Sequence, residues 1–573
     1  MKMINIKFGW KNITAFALPL VLLAGCKKDF LERPPTDAIV DANFYKTDEQ
    51  LQAATALLYN KVWFDYNENP AFSIGDIRAG TAFRGYNERS NVEFNTTDLT
   101  PENRRAWQSL FVVVGQSNLA IANVNRYGGA AVSPVAKKTA IAEARFMRAV
   151  AYSMLTMNWG EVPVIENNLD LLADPTVKKA TVPSIWRFLT REMRAVAADL
   201  PETAAPGRVT RWSAEGMLAR FYLTRAGVES SGGARNQSFL DSAKYYAQSV
   251  ITNSGKGLLT NYEDLFKYPY DNNNESLFEL QWAFIPGNAG YGLGNAAISH
   301  FNPSSEISPE GWGGDKAATW WMLSQYEGFT ASGDTMLQGR TVDQRLRATF
   351  MLPGFSYPEI TRTVNRVDTK PYVVPYTLDA ERNFANIKKY VIGQGKDFGI
   401  PTIEPQRYPN NTYMLRLAEM YLIYADAALG NSASTTDAQA LAYFNRIRNR
   451  AGMANLADPT TGAAIPLTLD HILNERFKEF AMEARAWYDL VALHYWNPTK
   501  AYSILNSQDR GFYYATPDNV NNASTWTIKK TPWANPPANP RKINATSGNF
   551  RLPIPAAEMT QAPWLAEAAV EYP

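Results

Sequence analysis

Cysteine and histidine are almost missing from this chain: one Cys and three His occur in 573 residues. The single thiol, Cys26, excludes any disulfide within the chain and gives a thiolate metal cluster no partners. His300, His471 and His494 form neither an H-E-x-x-H nor a Glu-x-x-His pair, so no zinc or di-iron site is expected. The Walker loop and the G-x-S-x-G elbow are absent as well. Gly290-Tyr291-Gly292-Leu293-Gly294 departs from G-x-G-x-x-G and reads as a flexible loop. These gaps predict no cofactor and no enzymatic nucleophile. There is no basic block, and the formal net charge is only +2, so nucleic acid is not an expected partner. Past Leu23 no apolar run approaches the roughly 20 residues a membrane-spanning helix needs.

What is present begins at the amino terminus. Lys2, Lys7 and Lys11 make a positive stretch with no acid before Asp29, and Ile13 to Leu23 is apolar apart from Thr14 and Pro19. That is the length of a signal-peptide core. It ends in Leu23-Ala24-Gly25-Cys26, which resembles a bacterial lipobox; an ordinary secretory signal with a chance cysteine is the plainer alternative. Residues 1–25 are therefore expected to be a lipoprotein signal peptide. Cys26 is expected to carry acyl chains such as palmitate, each buried methylene adding ~0.8 kcal/mol of membrane attachment. Removing 1–25 takes away three lysines and no acid, which leaves the mature chain near neutral.

No low-complexity linker divides residues 26–573, so one large domain is expected. Lys27 to Asn43 reads as a tether, with Pro34-Pro35 blocking helix. Apolar residues at three- and four-residue spacing predict helices over Asp48–Tyr59, Arg104–Asn125, Ala136–Trp159, Ile185–Asp199, Ala214–Ala226 and Leu240–Thr252. The clearest run is Met414 to Leu429, stopped by Gly430. A further helix runs through Ala440, Phe444, Ile447 and Ala451, and another through Leu469, Phe477, Phe480, Ala484, Trp487 and Val491. Paired helices with small alanines suggest a mainly α, tetratricopeptide-like hairpin scaffold over 44–252 and 413–495, without a strict 34-residue period. A loop-rich insertion, 253–412, and a carboxyl-terminal segment, 496–573, complete the expected domain. Within the scaffold, Phe72 to Pro101 is also irregular, and Ser276 to Trp282 reads as a short strand. Long irregular insertions are where binding concentrates.

Two residue sets invite chemistry. Glu475, Glu479 and Glu483, spaced i, i+4 and i+8, would line one helix face beside Arg476, Arg485 and Asp489. Two such carboxylates could serve glycoside hydrolysis, but a network stapling neighbouring helices is the favoured reading. The loops carry Tyr291, Phe301, Trp312, Trp320, Trp321 and Tyr326, too many to bury easily in a glycine-rich insertion. Flat aromatic faces suit sugar rings, and Asp76, Arg78, Arg84, Tyr86, Asn87 and Arg89 would hydrogen-bond the hydroxyls. Asp271-Asn272-Asn273-Asn274-Glu275 lacks the glycine and distant Glu of an EF-hand and reads first as a polar turn rather than a calcium site.

A chain-long pattern then emerges. Asp29-Phe30-Leu31-Glu32 with Pro34-Pro35-Thr36-Asp37, Trp107 through Asn118 to Asn123, and Glu143-Ala144-Arg145-Phe146-Met147-Arg148-Ala149 followed by Trp159-Gly160-Glu161-Val162-Pro163 come first. Leu218-Ala219-Arg220, Arg416-Leu417-Ala418-Glu419-Met420-Tyr421-Leu422, Asn445-Arg446-Ile447-Arg448, Glu475-Arg476, Trp487-Tyr488-Asp489-Leu490 and Leu552-Pro553-Ile554-Pro555 follow in order. In that order they resemble the SusD/RagB family of outer-membrane nutrient-binding lipoproteins. Ala492, Ala562-Pro563 and Ala566-Glu567 depart from the family pattern in scaffold motifs. The resemblance implies a SusD-like helical scaffold and a surface lipoprotein that binds glycan and delivers it to a SusC-like TonB-dependent transporter. It implies no bond-breaking activity. The family's ligand residues follow no transferable motif, so the glycan is not specified. Alternatives are a protein acting mainly as a lid or assembly partner of the transporter, or one binding a non-glycan nutrient such as peptide.

Overall fold

The structure is a computed structural model describing residues 44–84, 89–287, 290–308, 316–327, 335–337, 343–375, 384–400, 403–511, 513–517, 527–532 and 541–573. The helices that frame it are α1 (Asp48–Ala56), α2 (Pro101–Tyr127), α3 (Pro134–Trp159), α4 (Val182–Asp199), α5 (Arg211–Val228), α6 (Gln237–Asn253), α7 (Leu417–Leu429), α8 (Ala438–Arg450), α9 (Leu469–Glu479) and α10 (Ala486–His494). Three of them start alike, with Thr or Ser before an early proline: Thr100-Pro101, Ser133-Pro134 and Thr181-Val182-Pro183. Proline fits the first turn because its missing N–H would have no helical partner there. The Ser133 hydroxyl accepts from the Ala136 N–H at 3.1 Å, closing the amino end of α3. Gly160 (φ 80°) and Gly430 (φ 58°) end α3 and α7.

From α2 to α8 each helix packs on the next. The first pair is antiparallel, since Trp107 near the start of α2 meets Trp159 at the end of α3 (ring centroids 5.2 Å). At the other end Val124 shares a small core with Ala140. The α5–α6 hairpin repeats the arrangement: Tyr222 packs on Phe239, and Glu215 accepts from Ser249 Oγ at 2.6 Å. The mainly α scaffold of helical hairpins expected from periodicity is present.

Three local expectations need correction. The apolar run at Met414 begins as strand, Thr412–Arg416, paired antiparallel with Ser276–Leu280; helix starts only at Leu417. The spacing that reads as one helix past Phe480 belongs to two, α9 and α10, separated by a turn in which Met482 and Ala484 are left-handed (φ 61° and 56°). The stretch from Phe72 is not an exposed loop. Ser73–Arg78 forms a π-helical turn whose Ile74 and Ile77 are buried, and Ala82–Arg84 is a strand. Gly75 is required here by close approach, because a Cβ on it would stand 2.4 Å from the Ala484 Cα.

The insertion adds small antiparallel sheets rather than a second core. With β1 (Ala82–Arg84), β2 (Ser276–Leu280), β3 (Lys316–Ala318), β4 (Phe350–Met351), β5 (Asn386–Ile387) and β6 (Thr412–Arg416), one sheet runs β1-β3-β5-β4 and another pairs β2 with β6. The last residues strap back over the first helices. Leu552 N donates to Asn158 O, Asn103 Nδ2 to Pro553 O, and Thr181 N to Val570 O, while Tyr572 packs on Phe188.

His494 closes this strap, its ring 3.9 Å from that of Phe550 and nearly parallel, its Nε2 2.8 Å from Tyr502 OH. Burial, and then the charge of Arg551, push its pKa down to about 4. An unfolded His takes its proton near 6.5, so the unfolded chain binds more protons between pH 6.5 and 4. Stability is thus lost as pH falls through that window. In His494→Phe the fall in Tm between pH 6.5 and 4 is expected to be shallower than in wild type, as read by thermal melts across pH.

Candidate functional site

Two members of the polar set expected at a ligand surface, Asp76 and Arg78, are inside the protein. Asp76 is fully buried and accepts the Met482 N–H at 2.9 Å, the Ala484 N–H at 2.8 Å and Thr81 Oγ1 at 3.1 Å. It thereby holds the left-handed turn between α9 and α10. Arg78 is buried too: Nη2 donates to the carbonyls of Asn549 (2.7 Å) and Phe550 (3.1 Å), and the guanidinium lies over Phe94 and Trp487 at 4.1 and 4.8 Å. Neither side chain is available to a ligand, because each is itself buried and committed to backbone groups. Arg89 is half-buried, 3.3 Å from Glu93 and over the Phe83 ring. Arg84 pairs through its backbone with Lys316; its side chain, Tyr86, Asn87, Trp312 and Cys26 lie outside the described residues.

The loop aromatics are likewise mostly packed. Trp320 is 6% exposed and meets Tyr513 edge-on, following the Thr319 cap of a short helix. Phe301 sits against Phe72, Tyr326 donates to the Lys478 carbonyl, and half-buried Trp321 packs on Phe477 of α9. These side chains are the wedge between insertion and scaffold. Burying rings of ~150–250 Å² each is how an insertion of short strands is held in place.

Tyr291 is different, with 53% of its surface exposed. Its loop is held from both sides. Ala283 N donates to Leu293 O, Lys61 Nζ to Tyr291 O at 3.0 Å, Gly287 N to Glu404 Oε1 at 2.9 Å, and Arg407 Nη1 to Gly287 O at 2.5 Å. Gly292 takes φ 82°, which favours glycine, and a Cβ there would strike Lys61 Nζ. Phe64, itself edge-on to Trp282, supports the Tyr291 ring at 5.2 Å, and the exposed Lys61 places its ammonium 5.8 Å from the ring centre. The result is an aromatic ring fixed at the surface beside a cation. Sequence pattern pointed to Tyr291 but not to Lys61 or Phe64, which lie on short helical turns with no loop signature.

The three glutamates do not share a helix face, since Glu483 falls after α9 ends. They meet instead around buried cations. Glu479 is bound by Arg416 Nη1 (3.0 Å), Arg345 Nη1 (3.3 Å) and Arg450; Glu483 by Arg416 (2.7 and 2.8 Å) and Lys389 (2.9 Å); Glu475 by Arg345 (2.7 Å) and Lys478 (3.2 Å). Burial tends to raise the Glu479 pKa, but Arg450, Arg416 and Arg345 outweigh it and hold the carboxyl below its usual range. A general acid needs the opposite shift and access to substrate. The network is a staple between helices. Nor is the 271–275 turn an ion cradle: Asp271 accepts the Asn411 N–H at 2.9 Å and Glu275 binds Arg416 at 2.5 Å.

Comparison with known proteins matches most of the chain. A family model described as SusD family matches residues 274–571, and one described as starch-binding associating with outer membrane matches 29–223. A SusD-like protein of Bacteroides ovatus is 35% identical over 570 residues, covering 98% of both chains. This chain belongs to the SusD family. SusD-family proteins bind carbohydrate and are not enzymes, and the matched description places them with the outer membrane. A crystal structure with xylogluco-oligosaccharide aligns at TM-score 0.76 and 32% identity, covering 91% of this chain and 99% of that one. The starch-binding protein SusD of Bacteroides thetaiotaomicron is 32% identical over 141 residues, 24% of each chain.

Removing one acid leaves the buried network a negative charge short. Glu479→Ala is expected to destabilise the fold by about 3–5 kcal/mol, measured as a lowered denaturation midpoint in urea.

Proposed function

We propose that this chain is a lipid-anchored protein of the cell surface that captures oligo- or polysaccharide and hands it to a SusC-like TonB-dependent transporter. The carrying observation is the full-length 35% identity to a SusD-like protein, joined to a 32%-identical structure solved with a xylogluco-oligosaccharide. On this chain the exposed Tyr291, beside Lys61, supplies a ring for stacking on a sugar face and a donor for its hydroxyls. Arg89 and, outside the described residues, Arg84, Tyr86, Asn87 and Trp312 are the further candidates for ligand contact. Delivery into a channel requires release, so modest affinity, on the order of micromolar to millimolar, suits the task.

Attachment rests on the lipobox at Cys26, whose acyl chains would keep the body beside its transporter. A partner surface is supported by apolar side chains left in solvent on one face. Val112 and Leu119 of α2 are exposed by 46% and 45%, and Leu169 and Leu172 by 60% and 83%. The bond from Asn168 Nδ2 to Gly115 O at 2.8 Å gathers them. Such patches mark interaction sites.

Two outcomes test this reading. Tyr291→Ala should weaken glycan binding by roughly 2- to 12-fold, the ~0.5–1.5 kcal/mol of one aromatic contact, with Tm unchanged; isothermal titration against xylogluco-oligosaccharides and a broader glycan panel reads it. No binding by wild-type protein to any glycan in the panel would sink the glycan reading. Cys26→Ser should move the protein from the detergent phase to the aqueous phase in Triton X-114 partitioning, with no acyl mass on the mature chain.

A further inference from the structure

A cavity of about 50 Å³ lies inside the helical scaffold, enclosed by α3, α4, α5, α7, α9 and α10 and reaching the surface past the half-buried Leu223, Leu469, Ala492 and Trp496. It is far from empty of charge. Four arginines line it, Arg220, Arg235, Arg476 and Arg485, against three carboxylates, Glu419, Asp426 and Asp489.

Arg235 and Asp426 form a pair of their own at 2.7 Å. The other three guanidiniums share two acids. Arg220 grips Glu419 through both Nε (3.0 Å) and Nη2 (2.5 Å), and Arg476 Nη2 and Arg485 Nη2 reach the same carboxylate at 3.1 and 3.3 Å. Arg476 is also bidentate to Asp489, at 2.9 and 2.7 Å. One positive charge is left over, and it is buried, since Arg476 is 5% and Arg485 9% exposed. Arg476 Nη1 and Arg485 Nε have no hydrogen-bond acceptor among the described residues. The mutual repulsion is visible at Arg220, whose pKa burial, and then the charge of Arg485, hold down to about 10. A buried charge without a counter-charge is costly. A water needs only ~10–15 Å³ of such space, so this cavity has room for an ion and some hydration.

We propose that the cavity is an anion site, in which a chloride-sized monovalent anion supplies the missing counter-charge between Arg476 and Arg485. The site lies in the scaffold, apart from the Tyr291 surface, and its anion would act as a structural ion that tightens the junction of α5, α7, α9 and α10.

Crystals of the full chain soaked in sodium bromide are expected to show an anomalous peak in the cavity within hydrogen-bond reach of both guanidiniums. In solution, Tm should rise and saturate with sodium chloride but not with sodium gluconate at matched ionic strength, and the rise should vanish in Arg485→Met. If that variant fails to fold, the bromide map of the wild-type protein still decides. An empty anomalous map, equal Tm in the two salts, or a chloride-specific rise that persists in Arg485→Met each overturns the proposal.

Discussion

Arg416 stands where β6 turns into α7, and its guanidinium is fully buried among Glu275, Glu479 and Glu483. Those three acids come from different parts of the chain: the approach to β2, the end of α9, and the turn before α10. Around it Arg345 and Asp343 bring in the insertion, Arg450 the end of α8, and Lys389 the segment after β5. In a low-dielectric interior such charges tolerate only one arrangement, because any slip leaves an ion without its counter-ion. An insertion whose strands are two to five residues long has little core of its own. The network fixes its position on the helices, and the aromatic wedges fill the space around it.

The same constraint separates what periodicity reveals from what it conceals. Helices α2 to α8 were legible because each buries one face against a neighbour, and their ends carry local marks such as Ser133-Pro134 and Gly430. The break after Glu479 carries no such mark. Phe480, Ala484, Trp487 and Val491 keep helical spacing, and what breaks the helix is the Asp76 carboxylate, roughly four hundred positions away, accepting two N–H groups of a left-handed turn. Met414 misleads for a related reason: its run of apolar residues satisfies a buried strand as readily as a helix, and the pairing with β2 decides.

Polarity of sequence was an equally poor guide to exposure at the candidate site. Asp76 and Arg78 look like surface chemistry in a sequence, yet both are satisfied by other parts of the fold, while the three glutamates form the stapling network expected of them. Aromatic Trp320, Phe301 and Tyr326 are consumed in holding the insertion down. Tyr291, by contrast, stands half in solvent, on a loop tied by Lys61, Glu404 and Arg407. Much of the described part of the loop-rich half therefore serves architecture.

The carboxyl-terminal strap sets an order of events. Residues beyond Asn549 accept from Arg78, meet Asn103 and Asn158, and reach Thr181, all of which precede them by hundreds of positions. A chain emerging amino end first can build its helical hairpins as they appear, yet the groove beside α2, α3 and α4 stays uncovered until the final stretch has been delivered. Closure is thus a late step, and a chain that lacks its final stretch exposes the apolar surface that Leu552 and Tyr572 would cover.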